Sequence, residues 1–283
     1  MQRELPADLA RHLAQLLKRT RRRYRKRLAQ TQEFFSATAV HELRVETRRA
    51  LALLDLLLAL HLPGAGGKAR RTLKRRLDAF DELRDTQVEI NLLRPWLKDF
   101  PEAGEFAAFL RRREEELRAG MRREIRKLKS RRVERMLKAL AQHLAESETG
   151  RQAAVDFLRA PLRRAFARVM ALRRKIRRAD TETIHRTRVA FKKLRYLCEL
   201  LQPLLPGITM RRLRQMHAWQ TRMGDIQDAE VLLAQMENAV KHGEVKLTAV
   251  KRLHAAFAKR LVVRVNELIT AVDELEKFRP FAS

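Results

Sequence analysis

Two short stretches of this chain carry a histidine and a row of cations at one shared spacing, a combination suited to gripping phosphate. The first reads Val40-His41-Glu42-Leu43-Arg44-Val45-Glu46-Thr47-Arg48-Arg49. The second, offset by 144 positions, reads Ile184-His185-Arg186-Thr187-Arg188-Val189-Ala190-Phe191-Lys192-Lys193. Arginine's planar fork takes phosphate oxygens two at a time and stays charged at any working pH. Histidine adds a short, directional donor that charges below its pKa. Wound as a helix, the second stretch puts His185, Arg188, Lys192, Arg195 and Glu199 on one stripe, opposite Leu194, Leu197, Cys198 and Leu201. The first puts His41, Arg44, Arg48 and Asp55 opposite Leu43, Leu53, Leu54 and Leu57. Glu199 and Asp55 occupy matching positions, each placed to brace a neighbouring cation. A single stripe of this kind is ordinarily a solvated face; two copies at one spacing favour a binding surface.

Two further basic runs precede the motifs. Lys18 to Arg27 includes Arg19, Arg22, Arg23 and Lys26. An acid-free series from Arg163 to Arg178 includes Arg174 and Arg178. A turn after each run would carry it towards its own stripe. By contrast, Arg111 to Arg135 interleaves Arg with five Glu residues (Glu114, Glu115, Glu116, Glu124 and Glu134), as a salt-bridged solvated helix does.

The elements that must hold these stripes are helices. Alternating β-branched runs are absent, whereas apolar spacing of i, i+3, i+4 and i+7 recurs throughout. The pattern predicts helices at 7–33, 38–61, 66–98, 102–146, 151–178, 182–204, 208–241 and 245–277. Stops stand at Pro63-Gly64, Phe100-Pro101, Gly150, Pro206-Gly207 and His242-Gly243, with internal breaks expected near Asp85 and Gly224. Eight helices joined by short turns suggest an all-α fold of two antiparallel four-helix bundles related by an internal pseudo-twofold repeat. The halves would be 1–147 and 148–283. Beyond the Pro-Gly stops, offsets of 143 and 140 both align the halves, so the register there stays open.

Composition narrows the partners. Sixty-three Lys and Arg against 34 Asp and Glu give a formal net charge of +29, a self-repulsion that a polyanion would relieve. Nucleic acid, an anionic membrane and a phosphate polymer are the classes that fit. With 45% hydrophobic residues the chain can bury a core, which argues against disorder. A single cysteine, Cys198, excludes an internal disulfide and reads as a buried thiol in a reducing, cytoplasmic compartment. No secretory leader and no membrane span is legible; Ala50 to Leu60 is too short and contains Asp55.

Catalytic signatures are missing. There is no His-Glu-x-x-His, paired-Cys spacing, phosphate loop or Gly-x-Ser-x-Gly elbow, so neither a metal nor a cofactor is expected. His217 and His254 read as structural, at core-facing or rim positions. Asp225 and Asp228 read as capping residues near Gly224 or as partners of Arg222. Two Trp and two Tyr are too few for a single-strand nucleic-acid binder, which stacks bases on aromatic rings. Duplex DNA needs no stacking and stays open on charge alone. An enzyme using His41 or His185 as acid–base catalyst is a third reading, without a metal cage or activated nucleophile to support it.

The paired His motifs, with Met223-Gly224-Asp225-Ile226-Gln227-Asp228-Ala229-Glu230-Val231-Leu232 and Leu83-Arg84-Asp85-Thr86-Gln87-Val88, resemble those of the CHAD domain. The resemblance spans nearly the whole chain. It implies paired four-helix bundles and a non-catalytic module binding inorganic polyphosphate along a basic surface or cleft, with nucleic acid as a weaker polyanion. Matched position by position, it implies contacts from His41, Arg44, Arg48, Arg49, His185, Arg188, Lys192, Lys193 and Arg195. Granule association, scaffolding and storage are settings that suit such a module. In one departure, Leu51 and Ala52 stand where the second copy has Arg195 and Tyr196, which implies a weaker grip by the first half. The Glu-x-Glu-x-Lys mark of the phosphatase domain often joined to such modules is absent.

Overall fold

The computed structural model describes residues 7–60, 66–144, 151–205 and 207–281. The stops expected at Pro63-Gly64, Gly150 and Pro206, and the boundary between 147 and 148, lie outside them. Among the described residues the fold is all-α, with no strand beyond an isolated bridge between Arg177 and Asp180. The helices are α1 (Ala7–Glu33), α2 (Ala37–Ala59), α3 (Gly67–Asp78), α4 (Asp81–Leu93) and α5 (Gly104–Lys127). After them come α6 (Arg131–His143), α7 (Arg151–Arg173), α8 (Glu182–Leu201), α9 (Met210–Lys241) and α10 (Leu247–Ala271). Ser36 caps α2 by accepting from the Ala39 amide at 3.1 Å, and Thr209 caps α9 from the Arg212 amide at 3.2 Å.

Three helix boundaries differ from the pattern. The predicted 66–98 helix breaks at Ala79-Phe80 rather than near Asp85. There the chain turns a corner in which Phe80 is buried and its amide reaches back only three residues, to the Leu77 carbonyl at 3.1 Å. The predicted 102–146 helix breaks at Leu128, whose extended backbone (ψ 124) ends the ladder of α5 on a three-residue bond from its own amide to Ile125 O, and the last carbonyls need further donors. Gln32 of α1 supplies them, donating Nε2 to Ile125 O at 2.9 Å and to Leu128 O at 2.8 Å. No Gly or Pro marks that break; its cause is a side chain some 90 positions away in the chain. Conversely α9 runs unbroken through Gly224, where a break was expected.

Apolar side chains form two clusters. The larger joins α1, α2, α3 and α6 to α7, α8, the start of α9 and the end of α10, through Leu13, Leu54, Leu137, Phe191, Met216 and Leu268 among others. The smaller joins Leu93, Phe106 and Leu110 to Leu232, Met236, Leu253 and Phe257. Both draw on residues before and after the 147/148 boundary, so the clusters do not sort by sequence half. Helices α9 and α10 run through both clusters and tie them together. Cys198 is a buried thiol as expected, and burial pushes its pKa up to about 12.

Phe191 is fully buried and meets Phe278 edge-on, with ring centroids 5.4 Å apart. Truncation to Ala should cost about 3–5 kcal/mol. Trp219 reports on the larger cluster and Trp96 on the smaller. In urea melts of single-Trp versions of Phe191→Ala, both signals should therefore shift together; movement of the Trp219 transition alone would show the clusters to be uncoupled.

Candidate functional site

The motif helices pack against each other. α2 crosses α8, while α4 packs on α9 alongside them. The burial of Ala50, Leu53, Leu54 and Leu57 on α2, and of Phe191, Leu194, Cys198 and Leu201 on α8, sets the rotation of both helices. Their polar stripes consequently face one region. Arg48 of α2 and Arg188 and Lys192 of α8 meet there, with Arg84 of α4 beside them.

The electrostatics of this ring are those of crowded like charges. Burial lowers the Lys192 pKa to about 7, helped by Arg48, Arg188, Arg44 and Arg195 in that order. Arg48 is lowered by burial and then by Arg44, and Arg84 likewise. His41, exposed at the rim, is lowered by partial desolvation and then by Arg84, Arg48 and Arg44. Carboxylates do lie nearby: Asp81 acts on Arg48, and Asp85 and Asp228 act on Arg84. None of them reaches an ion pair with Arg48, Arg84, Arg188 or Lys192, and none of these four forms a side-chain hydrogen bond within the described residues. The Arg188 Nε is buried without an acceptor, as is the His185 Nδ1. The Arg188 guanidinium packs across Gly224: a Cβ there would sit 3.4 Å from both Nε and Nη2, in ordinary contact.

Other expected contact residues are already engaged. Arg44 is 3% exposed; its Nη1 donates to Leu77 O at 3.1 Å and its Nη2 to Asp81 Oδ1 at 2.8 Å. It therefore closes the α3/α4 corner, binding the carboxyl end of one helix and an acid in the first turn of the next, as helix dipoles favour. Arg44, expected as a phosphate contact, has two of its nitrogens committed to this corner. Arg49 pairs with Glu46 at 2.7 Å and reaches Glu199 of α8 at 3.3 Å, so it fastens α2 to α8. Arg195 is braced as expected, with Glu199 at 2.9 Å, and also donates to Gln220 of α9 at 2.8 Å. Asp55, by contrast, pairs with Arg70 of α3 and braces no cation of its own stripe. Lys193 is exposed beside the ring, and His185 is half-buried on the Arg188 stripe.

The two upstream runs do not join the ring. The charges that perturb His41, Arg48 and Lys192 come from α2, α4 and α8. Arg19, Arg23 and Lys26 are exposed on α1, and Arg22 lines a groove between α1 and α6 with Lys18, Arg21 and Lys138. α7 ends at Arg173, so Arg174 and Arg178 lie in the following turn; Arg174 lines a separate cavity of 480 Å³ with Arg163, Phe166 and Arg279. His217 is exposed rather than core-facing, and His254 pairs with Glu237 at 2.9 Å. Asp225 pairs with Arg264 at 3.1 Å, whereas Arg222 lies over the Trp219 ring. The cation that sequence reasoning left out of the site is Arg84. Its signal was present in the Leu83-Arg84-Asp85 segment, but placing that segment near α2 required the corner at Ala79-Phe80.

The family model described as the CHAD domain matches residues 7–237. Among solved structures, the crystal structure of the CHAD domain from the plant Ricinus communis is similar, with a TM-score of 0.73 at 16% sequence identity. That likeness covers all of this chain and 94% of the other, and shows the shared fold. No curated protein matches the chain. Among the described residues no helix is long and apolar enough to cross a membrane, and no group of His, Cys, Asp and Glu side chains could hold a metal ion.

The Arg44 corner is testable through its acid. Asp81→Ala leaves the buried guanidinium with only the Leu77 carbonyl, and should cost about 3 kcal/mol in a urea titration. Arg44→Met in the same background should recover part of that loss, because the stranded charge is gone; no recovery would mean Asp81 acts by another route.

Proposed function

The chain belongs to the CHAD domain family, and from that membership and the cation ring together we propose that it binds inorganic polyphosphate without transforming it. The observation that carries this reading is the set of unpaired heads of Arg48, Arg84, Arg188 and Lys192, half-buried where α2, α4, α8 and α9 meet. Repulsion within such a ring is relieved by a linear polyanion that offers oxygens to several cations at once. His41 and His185 flank the ring as further donors, and Lys193 adds exposed charge. Arg44, Arg49 and Arg195 serve the site from behind, holding its helices in place.

Nucleic acid is the second reading, and the aromatic side chains weigh against its single-stranded form. Arg260 lies over Trp96, Arg222 over Trp219 and Arg195 over Tyr196, while Tyr24 is buried and accepts from Arg76. The chain's own guanidinium groups and core thus engage each Trp and Tyr ring, which leaves little for stacking bases.

Affinity for a long polyphosphate should fall about a hundredfold between about 50 and 200 mM salt if some four phosphates are neutralised, by the counterion argument developed for DNA. A flat response would remove the electrostatic basis. Arg48→Glu and Arg188→Glu should each weaken binding at least about tenfold with the helical signal retained. Duplex DNA at matched charge should fail to displace the polymer. Phosphate release with and without Mg²⁺ tests the non-catalytic half of the proposal; sustained release would overturn it.

The pH dependence has opposite signs for folding and binding. Lys192 titrates near 7 in the free protein and near its ordinary, higher value when unfolded, so the unfolded state holds more protons above pH 7. Stability of the free protein should therefore rise with pH across that window. A bound polyanion restores the ammonium form, so binding takes up protons and affinity should fall over the same window. Titration calorimetry in buffers of differing ionisation heat would measure that uptake near pH 8; Lys192→Arg should abolish most of it.

A further inference from the structure

Lys192 has chemistry that a binding role leaves unused. It is a half-buried amine with no acidic partner, and Arg48 and Arg188 are its strongest charged neighbours. Arg44 and Arg195 act on it next, and those two guanidinium groups are held by Asp81 and Glu199. Arg48 and Arg188 form no ion pair, although Asp81 acts on the first and Asp228 on the second, and both can turn to a dianionic phosphate. Lys193, one residue on, is exposed and turned away from the stripe, which makes it an internal reference of the same residue type.

We propose that Lys192 is a site of covalent acylation by small acyl phosphates, with Arg48 and Arg188 holding the phosphate while the amine attacks the acyl carbon. This assignment rests on the phosphate-binding reading of the same ring. In the step, the amine nitrogen bonds to the carbonyl carbon and the carbon–oxygen bond to phosphate breaks. Phosphate leaves with the bonding pair and receives the nitrogen's proton, directly or through water, so that it departs as the dianion HPO4²⁻. The arginines stabilise the leaving dianion, and no oxidant or metal is needed. A low amine pKa supports the step, because a substantial fraction of Lys192 is unprotonated at neutral pH whereas an ordinary lysine is almost wholly protonated. Acylation removes one cation from the ring and fills part of it, so the modification would set how much polyanion the protein holds.

The test uses the full chain and acetyl phosphate, with occupancy at each lysine followed by mass spectrometry at pH 7.5. Lys192 should acetylate at least about tenfold faster than Lys193, the gain in free amine outweighing its weaker basicity. Equal or slower labelling of Lys192 overturns the proposal. p-Nitrophenyl acetate, which lacks phosphate, separates phosphate guidance from simple amine reactivity. In Arg188→Gln the ratio of acetyl phosphate to ester labelling at Lys192 should fall about tenfold, and an unchanged ratio also overturns the proposal. If that variant fails to fold, the comparison of Lys192 with Lys193 in the unaltered chain still decides. Polyphosphate affinity of the unmodified protein is measured separately: its absence, with Lys192 labelling as expected, would sink the polymer reading and leave the acylation site standing.

Discussion

Cations on two crossing helices repel, and the site exists because apolar contact on the opposite faces of α2 and α8 outweighs that repulsion. Leu53, Leu54 and Leu57 on one helix and Phe191, Leu194 and Leu201 on the other are all but fully buried. Each such side chain contributes on the order of 1.5–3 kcal/mol by leaving water. Helix rotation is therefore fixed by oil, and the charged stripes must go where the apolar ones send them. The lowered pKa values of Lys192, Arg48 and Arg84 are the electrostatic cost that remains.

How much of this was legible depended on range. The helical periodicity, the two motifs and the Glu199–Arg195 brace are local patterns, spaced three or four residues apart, and they could be read directly. The break at Leu128 could not, because Gln32 of a different helix supplies its hydrogen bonds. The unbroken run of α9 through Gly224 misled for a related reason. A glycine reads as a breaker, yet here it lies within a packed helix, with the Arg188 guanidinium across it. The upstream runs, on α1 and from α7 into the segment after it, stand apart from the ring because proximity in chain order does not determine which face a helix presents. Arg22 and Arg174 ended in separate concavities, away from the ring.

The site is supported by an inner tier of ion pairs that ties the four helices. Arg49 and Glu199 join α2 to α8, Arg195 and Gln220 join α8 to α9, and Arg44 and Asp81 join α2 to α4. Each occupies a carboxylate or amide oxygen that would otherwise be open to one of the outer cations. Immobilising the inner arginines in this way limits the side-chain freedom lost when an anion arrives, which favours affinity at a given charge.

Arg44 and Arg188 hold the same place in two sequence strings that share the His-x-x-Arg-Val spacing, yet their guanidinium groups have opposite fates. One is sealed into a helix corner by the Leu77 carbonyl and Asp81, while the other makes no ion pair and no side-chain hydrogen bond among the described residues. Two stretches of like spacing in one polypeptide can thus divide their labour, one becoming masonry and the other remaining a hand. Position-by-position transfer of a role between relatives is exposed to the same divergence, and burial of the particular atom decides which descendant kept the trade.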